Sequence, residues 1–307
     1  MISDVLFFAI LLGVLALLVT AALAPLETLS WWAGWTEEEL GEDDPPEATA
    51  SQLAQRFIVY LSGVASISGQ YLLPREKAFL ELLHQRYPEA VIVSDVFPYS
   101  PKGLPLLAAP RMFERMWRRA QFFKVKGRQT LLTVLINLRN IFQVMVSADH
   151  RYGPIFNQGA ASVIEKALLA HGYPRGSQTP ITIIGYSGGA QVAIGAASFL
   201  TARLRAPIDV VSIGGVLASD PGLGYVRSLH HVIGKRDVIQ RIGAAMFPER
   251  WPLAATSNWN AGKREGRIQT HILPNVTHAG VDGYFGRPVI DGASNAQRTV
   301  EAITQLM

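Results

Sequence analysis

A β-branched run, Ile181-Thr182-Ile183-Ile184, leads directly into Gly185-Tyr186-Ser187-Gly188-Gly189, and a helix-compatible stretch follows from Ala190 to Leu204. A strand, a Gly-x-Ser-x-Gly turn and a helix in immediate succession leave few arrangements open. The flanking glycines permit a sharp turn that a Cβ would obstruct. The turn would lift the Ser187 hydroxyl out of the backbone at the carboxyl end of a parallel strand, above the first N–H groups of the helix.

The rest of the chain supports a parallel sheet. From Arg56 onward, strand-like and helix-like segments alternate, as in a sheet covered by helices on both faces. Strands are expected at Arg56–Leu61, Ala90–Val96, Ile181–Ile184, Ile208–Ile213, Ser228–Ile233 and Arg267–Leu273. Helices are expected at Glu76–Tyr87, Gln158–His171, Ala190–Leu204 and Ser294–Leu306. About 85 residues separate the second strand from the third, where a crossover needs only a dozen or more. Residues 98–153 therefore read as an insertion at the carboxyl edge of the sheet, placed to form a helical cap. Within it, Arg111–Arg128 combines Met112, Phe113, Met116 and Trp117 at helical spacing with seven basic residues. It reads as a cap helix or as a helix lying on an anionic membrane surface. Leu131–Val146 is apolar, but Asn137, Arg139, Asn140 and Gln143 would be costly in lipid, so a buried helix is expected.

The amino terminus is different in kind. Val5–Ala24 is an uncharged run of twenty residues, apolar throughout except for Thr20, long enough as a helix to cross about 30 Å of hydrocarbon. Trp31, Trp32 and Trp35 follow, as residues settling at an interface would. A cleaved signal peptide is the rival reading. The length of the run, the lack of a preceding Lys or Arg, and Pro25 after the Ala22-Leu23-Ala24 site favour a retained single-pass anchor. No Lys or Arg precedes Arg56, so charge does not orient the span. Residues 36–55 hold a cluster of acids and Pro45-Pro46, and read as a solvated linker. The expected organisation is anchor and interfacial segment (1–35), linker (36–55), and one α/β domain (56–307).

A serine hydroxyl needs a base, and the base needs an orienting acid. Histidine titrates ordinarily near 6.5, which suits it to take and return a proton. His278 lies in a short loop after the last strand, at the same edge of the sheet as Ser187. His230, His231 and His271 lie within strands, and His84, His150 and His171 on helices or in the insertion. For the acid, Asp237 follows the fifth strand at the carboxyl edge, with Asp220, after the fourth, as the rival. An oxyanion would be met by the Gly188 N–H and by an N–H from the loop after the first strand, at Val64 or, alternatively, Ala65.

Ser187 in its Gly-x-Ser-x-Gly turn, then Asp237, then His278, in that order, resembles the α/β-hydrolase superfamily over residues 56–307. The resemblance implies that superfamily's fold without its first two strands, with Ser187 as nucleophile, His278 as base, Asp237 as orienter and Gly188 as oxyanion donor. Two features depart from the usual pattern: the loop after the first strand lacks a His-Gly pair, and the extra helices come early. The expected activity is a membrane-anchored serine hydrolase of the esterase or lipase kind, acting on an acyl ester or thioester, lipid-like ones included, with no cofactor. An acyltransferase using the same three residues and an inactive, membrane-tethered binding module are the alternatives.

Other chemistries lack their motifs. There is no cysteine among the 307 residues, hence no disulfide, thiolate metal site or thiol nucleophile. Neither a phosphate-binding Gly-x-x-x-x-Gly-Lys loop nor a His-Glu-x-x-His zinc motif occurs. The net charge is only +4, and the acidic linker and apolar run argue against nucleic acid as a partner.

Overall fold

A computed structural model describes residues 54–100 and 131–307, apart from Pro288 and Asp291, together with the single positions Leu15 and Val19. The expected anchor, nearly all of the linker, and the basic segment 111–128 lie outside the described residues. Among the described residues no helix is long and apolar enough to cross a membrane.

The main sheet has six strands: β1 (Arg56–Leu61), β2 (Ala90–Val93), β3 (Ile181–Tyr186), β4 (Ile208–Ile213), β5 (Ser228–Gly234) and β6 (Ile268–Leu273). Their order is β2-β1-β3-β4-β5-β6, and every neighbouring pair is parallel. This sheet, layered with helices on both faces, fits an α/β-hydrolase architecture. The chain first steps outward from β1 to β2, then returns to the other side of β1 with β3. The order therefore reverses between β1 and β3, which opens a crevice at their carboxyl ends.

Seven α-helices are described: α1 (Pro74–Arg86), α2 (Leu131–Ala148), α3 (Gly153–Ala170), α4 (Gly188–Leu204), α5 (Ile239–Met246), α6 (Asn258–Arg264) and α7 (Asn295–Thr304). Two apolar cores follow from the period-two alternation of the strands. Phe57, Val59, Leu61, Ile181 and Ile183 point toward α3 and α4, while Ile58, Tyr60, Ile184 and Val211 point toward the opposite face, where α1 packs with α7. Helix α4 is buried along most of its length. Its run of Gly and Ala lets α3 approach closely, and the Asn157 side chain fills the space a Cβ on Gly195 would occupy.

Departures from the sequence reading have local causes. β3 runs two residues past Ile184 because Gly185 and Tyr186 still pair with Ser212 and Ile213. β2 stops at Val93, since it is an edge strand, and β1 pairs only with its four residues from Ala90 to Val93. α3 begins at Gly153, five residues earlier than expected, with Pro154 pre-set for its first turn. Helices α5 and α6 and a short antiparallel pair, β7 (Val289–Ile290) with β8 (Ala293–Ser294), were not expected. Both helices are too short to show a clear period in sequence. Helix α2 is present and packs on α3 and α4, as its polar residues required.

Candidate active site

Ser187 sits between β3 and α4 with φ 53° and ψ −122°. This is a left-handed backbone for a residue with a Cβ, a conformation that costs on the order of 1–3 kcal/mol and persists only where its surroundings impose it. The surroundings do so here. The Ser187 N–H donates to the Ile213 carbonyl at 2.9 Å, and the Ala190 N–H donates to the Ser187 carbonyl at 3.1 Å. A Cβ on Gly185 would lie 2.4 Å from the Ala190 Cα, and one on Gly189 would lie 2.6 Å from the Leu61 carbonyl oxygen. Both obstacles are backbone, so neither can swing aside. The two glycines of the motif are thus needed for close approach, and they hold the serine at the switch in strand order.

His278 reaches Ser187 from the loop after β6. Its Nε2 lies 2.9 Å from Ser187 Oγ, and its Nδ1 lies 2.9 Å from Asp237 Oδ2. Tyr186 fixes this loop. Its O–H donates to the His278 carbonyl at 2.7 Å, and its ring stacks on the imidazole at 5.6 Å between centroids, tilted 23°. The Arg75 guanidinium donates to the carbonyl of Gly280 in the same loop.

Asp237, fully buried, follows β5. Its Oδ1 accepts from the N–H groups of Ile239 (2.8 Å) and Gln240 (3.3 Å) at the start of α5. Its Oδ2 accepts from His278 and from the Tyr284 O–H at 2.7 Å. Burial pushes the carboxyl upward, but these donors, His278 foremost, outweigh burial and hold it below the usual aspartate range. An ionised carboxylate only accepts, so Nδ1 of His278 carries the proton. In the neutral imidazole Nε2 is then bare and accepts from the Ser187 hydroxyl. The Tyr284 oxygen in turn accepts from the Gly234 N–H at 2.7 Å. Burial, and then the adjacent Asp237 carboxylate, push this phenol far above its ordinary value, so it stays a donor.

The rival aspartate lies elsewhere. Asp220 accepts from the Gly222 N–H (2.7 Å) and from Gln191 Nε2 (3.1 Å), and burial raises its pKa. The strand histidines are also apart from the serine. His230 Nδ1 lies 3.3 Å from His271 Nε2. His231 Nδ1 lies 3.0 Å from Ser212 Oγ. His150 pairs with Glu249 at 3.0 Å, and His171 Nδ1 bonds the Ala167 carbonyl.

The expected oxyanion donors come side by side. Val64 is in the turn Gly63–Ser66, closed by the Ser66 N–H on the Gly63 carbonyl. A Cβ built on Gly188 would meet the Val64 Cγ1 at 2.8 Å. Neither the Gly188 N–H nor the Val64 N–H donates to a backbone carbonyl among the described residues. Asn140 of α2 clamps the turn, donating from Nδ2 to the carbonyls of Val64 and Ser66, each at 2.8 Å. Tyr99 donates to the Ser62 carbonyl at 2.7 Å, and Arg139 donates to the Tyr99 carbonyl. Two of the polar residues that marked Leu131–Val146 as buried thus shape the loop beside the serine.

Sequence reasoning missed Tyr284, Tyr186 and Asn140 as parts of the site. Tyr284 had a faint signal, six residues after His278 in Gly283-Tyr284-Phe285-Gly286. Tyr186 lies inside the motif itself.

No protein-family model matches the chain, and no curated protein matches it. Among solved structures it is similar to a dienelactone hydrolase-like promiscuous phosphotriesterase from metagenomic libraries. The TM-score is 0.44 and the identity 15%, over 82% of this chain and 83% of that one. It is also similar to a SOBER1 variant from Arabidopsis thaliana, with a TM-score of 0.40 and 13% identity over 81% and 98% of the two chains.

Proposed function

We propose that the chain is a membrane-anchored serine hydrolase of the α/β-hydrolase type, cleaving a carboxylic ester or thioester with an apolar acyl group. The observation that carries this reading is the continuous relay from Ser187 Oγ through His278 to Asp237, with 2.9 Å at each step. Oγ attacks the carbonyl carbon as its proton passes to Nε2. The resulting imidazolium is stabilised by the Asp237 carboxylate at Nδ1. The carbonyl oxygen gains negative charge and is met by the N–H groups of Gly188 and Val64, worth about 2.7–4 kcal/mol of barrier per donor in comparable sites. Nε2 then hands its proton to the departing alcohol or thiol, leaving an acyl-serine. Water, deprotonated by the same Nε2, attacks the acyl carbon and releases the acid, and Ser187 regains its proton.

Labelling with a fluorophosphonate tests the reading. Wild type is expected to label covalently, and Ser187→Ala is not. Folded wild type that takes no label would favour an inactive binding module. The apolar acyl group rests on the run Val5–Ala24 and on the apolar helix α2 beside Gly188. Purified enzyme that turned over only small polar esters and ignored dispersed acyl lipids would count against it. Attachment through Val5–Ala24 predicts that the full chain stays in the membrane fraction after alkaline carbonate extraction.

A further inference from the structure

The surface beside Ser187 carries apolar side chains that the reaction does not use. Helix α5 and the segment after it leave Ile239, Ile242, Met246, Trp251 and Leu253 exposed, and Leu253 is 93% exposed. Ile239, Ile242 and Met246 recur three and four residues apart, so they form one stripe, while Gln240 and Gly243 face inward. Helix α2 presents a second stripe, Val134, Ile141 and Met145. Contiguous apolar surface of this kind marks an interaction site, unlike apolar residues scattered singly.

The two stripes border the serine. Val144 of α2 would contact a Cβ on Gly188 at 2.6 Å, and α5 begins two residues after Asp237. His150, just past α2, pairs with Glu249, just past α5, so the stripes belong to one rim. The charge around the rim is one-sided. Residues 235–267 contain seven lysines and arginines against Asp237, Glu249 and Glu265. Asp237 is buried against His278, Glu249 faces His150, and Glu265 pairs with Arg267. Lys235, Arg236 and Arg241, which follow β5 at the carboxyl edge, are exposed, and so are Lys263 and Arg264, further away at the end of α6 that leads into the start of β6.

We propose that this rim docks on an anionic phospholipid surface. Trp251 and Leu253 enter the boundary between headgroups and acyl chains, and the surrounding lysines and arginines meet the phosphates. A bilayer satisfies both halves of the surface at once, an apolar centre and a positive surround. The run Val5–Ala24 in the same chain would keep the domain within reach of one. The inference deepens the hydrolase reading and rests on it for purpose: the mouth over Ser187 would face lipid, and an apolar acyl ester would enter without crossing water.

The absence of cysteine makes a direct test simple. Leu253→Cys and, as a control on α7, Glu301→Cys each carry one nitroxide on the full chain, in vesicles of phosphatidylcholine and phosphatidylglycerol. Collisions of the label with oxygen and with a water-soluble nickel chelate are read by electron paramagnetic resonance. The docked rim gives a label at 253 that loses nickel collisions and gains oxygen collisions relative to 301. It also predicts a return toward water in pure phosphatidylcholine or in Lys235→Glu/Arg241→Glu. Nickel collisions at 253 equal to those at 301 would overturn the proposal. So would shielding from both reagents, which would mean that protein, residues 101–130 or a second copy, covers the rim. The readout uses no activity, so its failure would leave fluorophosphonate labelling of Ser187 untouched.

Discussion

Two aspartates follow neighbouring parallel strands, Asp220 after β4 and Asp237 after β5, and both are buried. Their electrostatics run in opposite directions. Asp220 has two donors, the Gly222 N–H and the Gln191 amide. Burial prevails there, and the carboxyl is pushed above its ordinary value. Asp237 has four donors, including the imidazole of His278 and the phenol of Tyr284. They overcome burial and hold the carboxyl below its ordinary value. Depth alone therefore does not decide whether a buried carboxyl stays charged. The number of donors, and a histidine among them, decides which carboxylate stays charged.

The difference is best broken at Asp237 itself. Asp237→Asn keeps the shape but removes the acceptor that fixes the Nδ1 proton. A loss of about 10³–10⁴-fold in kcat/KM is expected from the wrong tautomer, measured with a soluble ester. Asp220→Asn is expected to stay within about threefold, because its side chain touches none of the reacting groups. An equal loss at both positions would erase the distinction.

Tyr284→Phe pushes Asp237 toward the condition of Asp220. It removes one donor and leaves the Gly234 N–H buried without its partner, at a cost of about 1–3 kcal/mol in stability, read by thermal unfolding. It should also raise the acid midpoint of unfolding. The folded-state pKa of Asp237 lies below its unfolded one, so its stabilisation is complete above the ordinary aspartate pKa of about 3.9 and lost as the pH falls through the lower folded value. Weakening the donors moves that loss to higher pH.

His231 provides a third buried group to compare. It is almost fully buried, and its Nε2 has no partner among the described residues. Burial, and then the charge of Arg250, lower its pKa from 6.5 to about 3. The unfolded chain therefore binds a proton that the folded chain refuses. Stability is retained above pH 6.5 and falls between there and about 3, by about 1.4 kcal/mol per pH unit. His231→Asn should remove that slope in an acid titration followed by circular dichroism.

The smallest expected effect is on stability in Asp220→Asn. An amide nitrogen would face Gln191 Nε2, a donor against a donor, costing about 1 kcal/mol. Asp220 has the opposite pH sign. Its raised folded pKa gives stability that is present below the unfolded value and lost as the pH rises through the folded one. The variant should lose this dependence.

The sequence made the strands and the relay legible for a physical reason. In a parallel sheet every strand ends at the same edge, so residues just after β3, β5 and β6 must gather there. Ser187 and His278 could be chosen by that rule, and so could Asp237, although Asp220 after β4 satisfies the same rule and lies between the same two residues along the chain, so that the choice between the aspartates waited for the side-chain contacts. Tyr284 obeys no such rule. It reaches Asp237 by folding back from the loop beyond His278, through contacts that no spacing encodes. Asn140 was legible only in part: its polarity in an apolar helix required burial, but not which carbonyls it would meet. Helix α5 escaped notice because a single amphipathic period over eight residues is indistinguishable from a loop with apolar residues.

The central claim is that Ser187 forms a covalent bond to the acyl group. Acid quenching during turnover of 4-nitrophenyl octanoate, followed by peptide mass analysis, tests it most directly. The account predicts an octanoyl group on the peptide carrying Ser187 in wild type, with neither adduct nor turnover in Ser187→Ala. An adduct on another residue, or undiminished hydrolysis in Ser187→Ala, would contradict it.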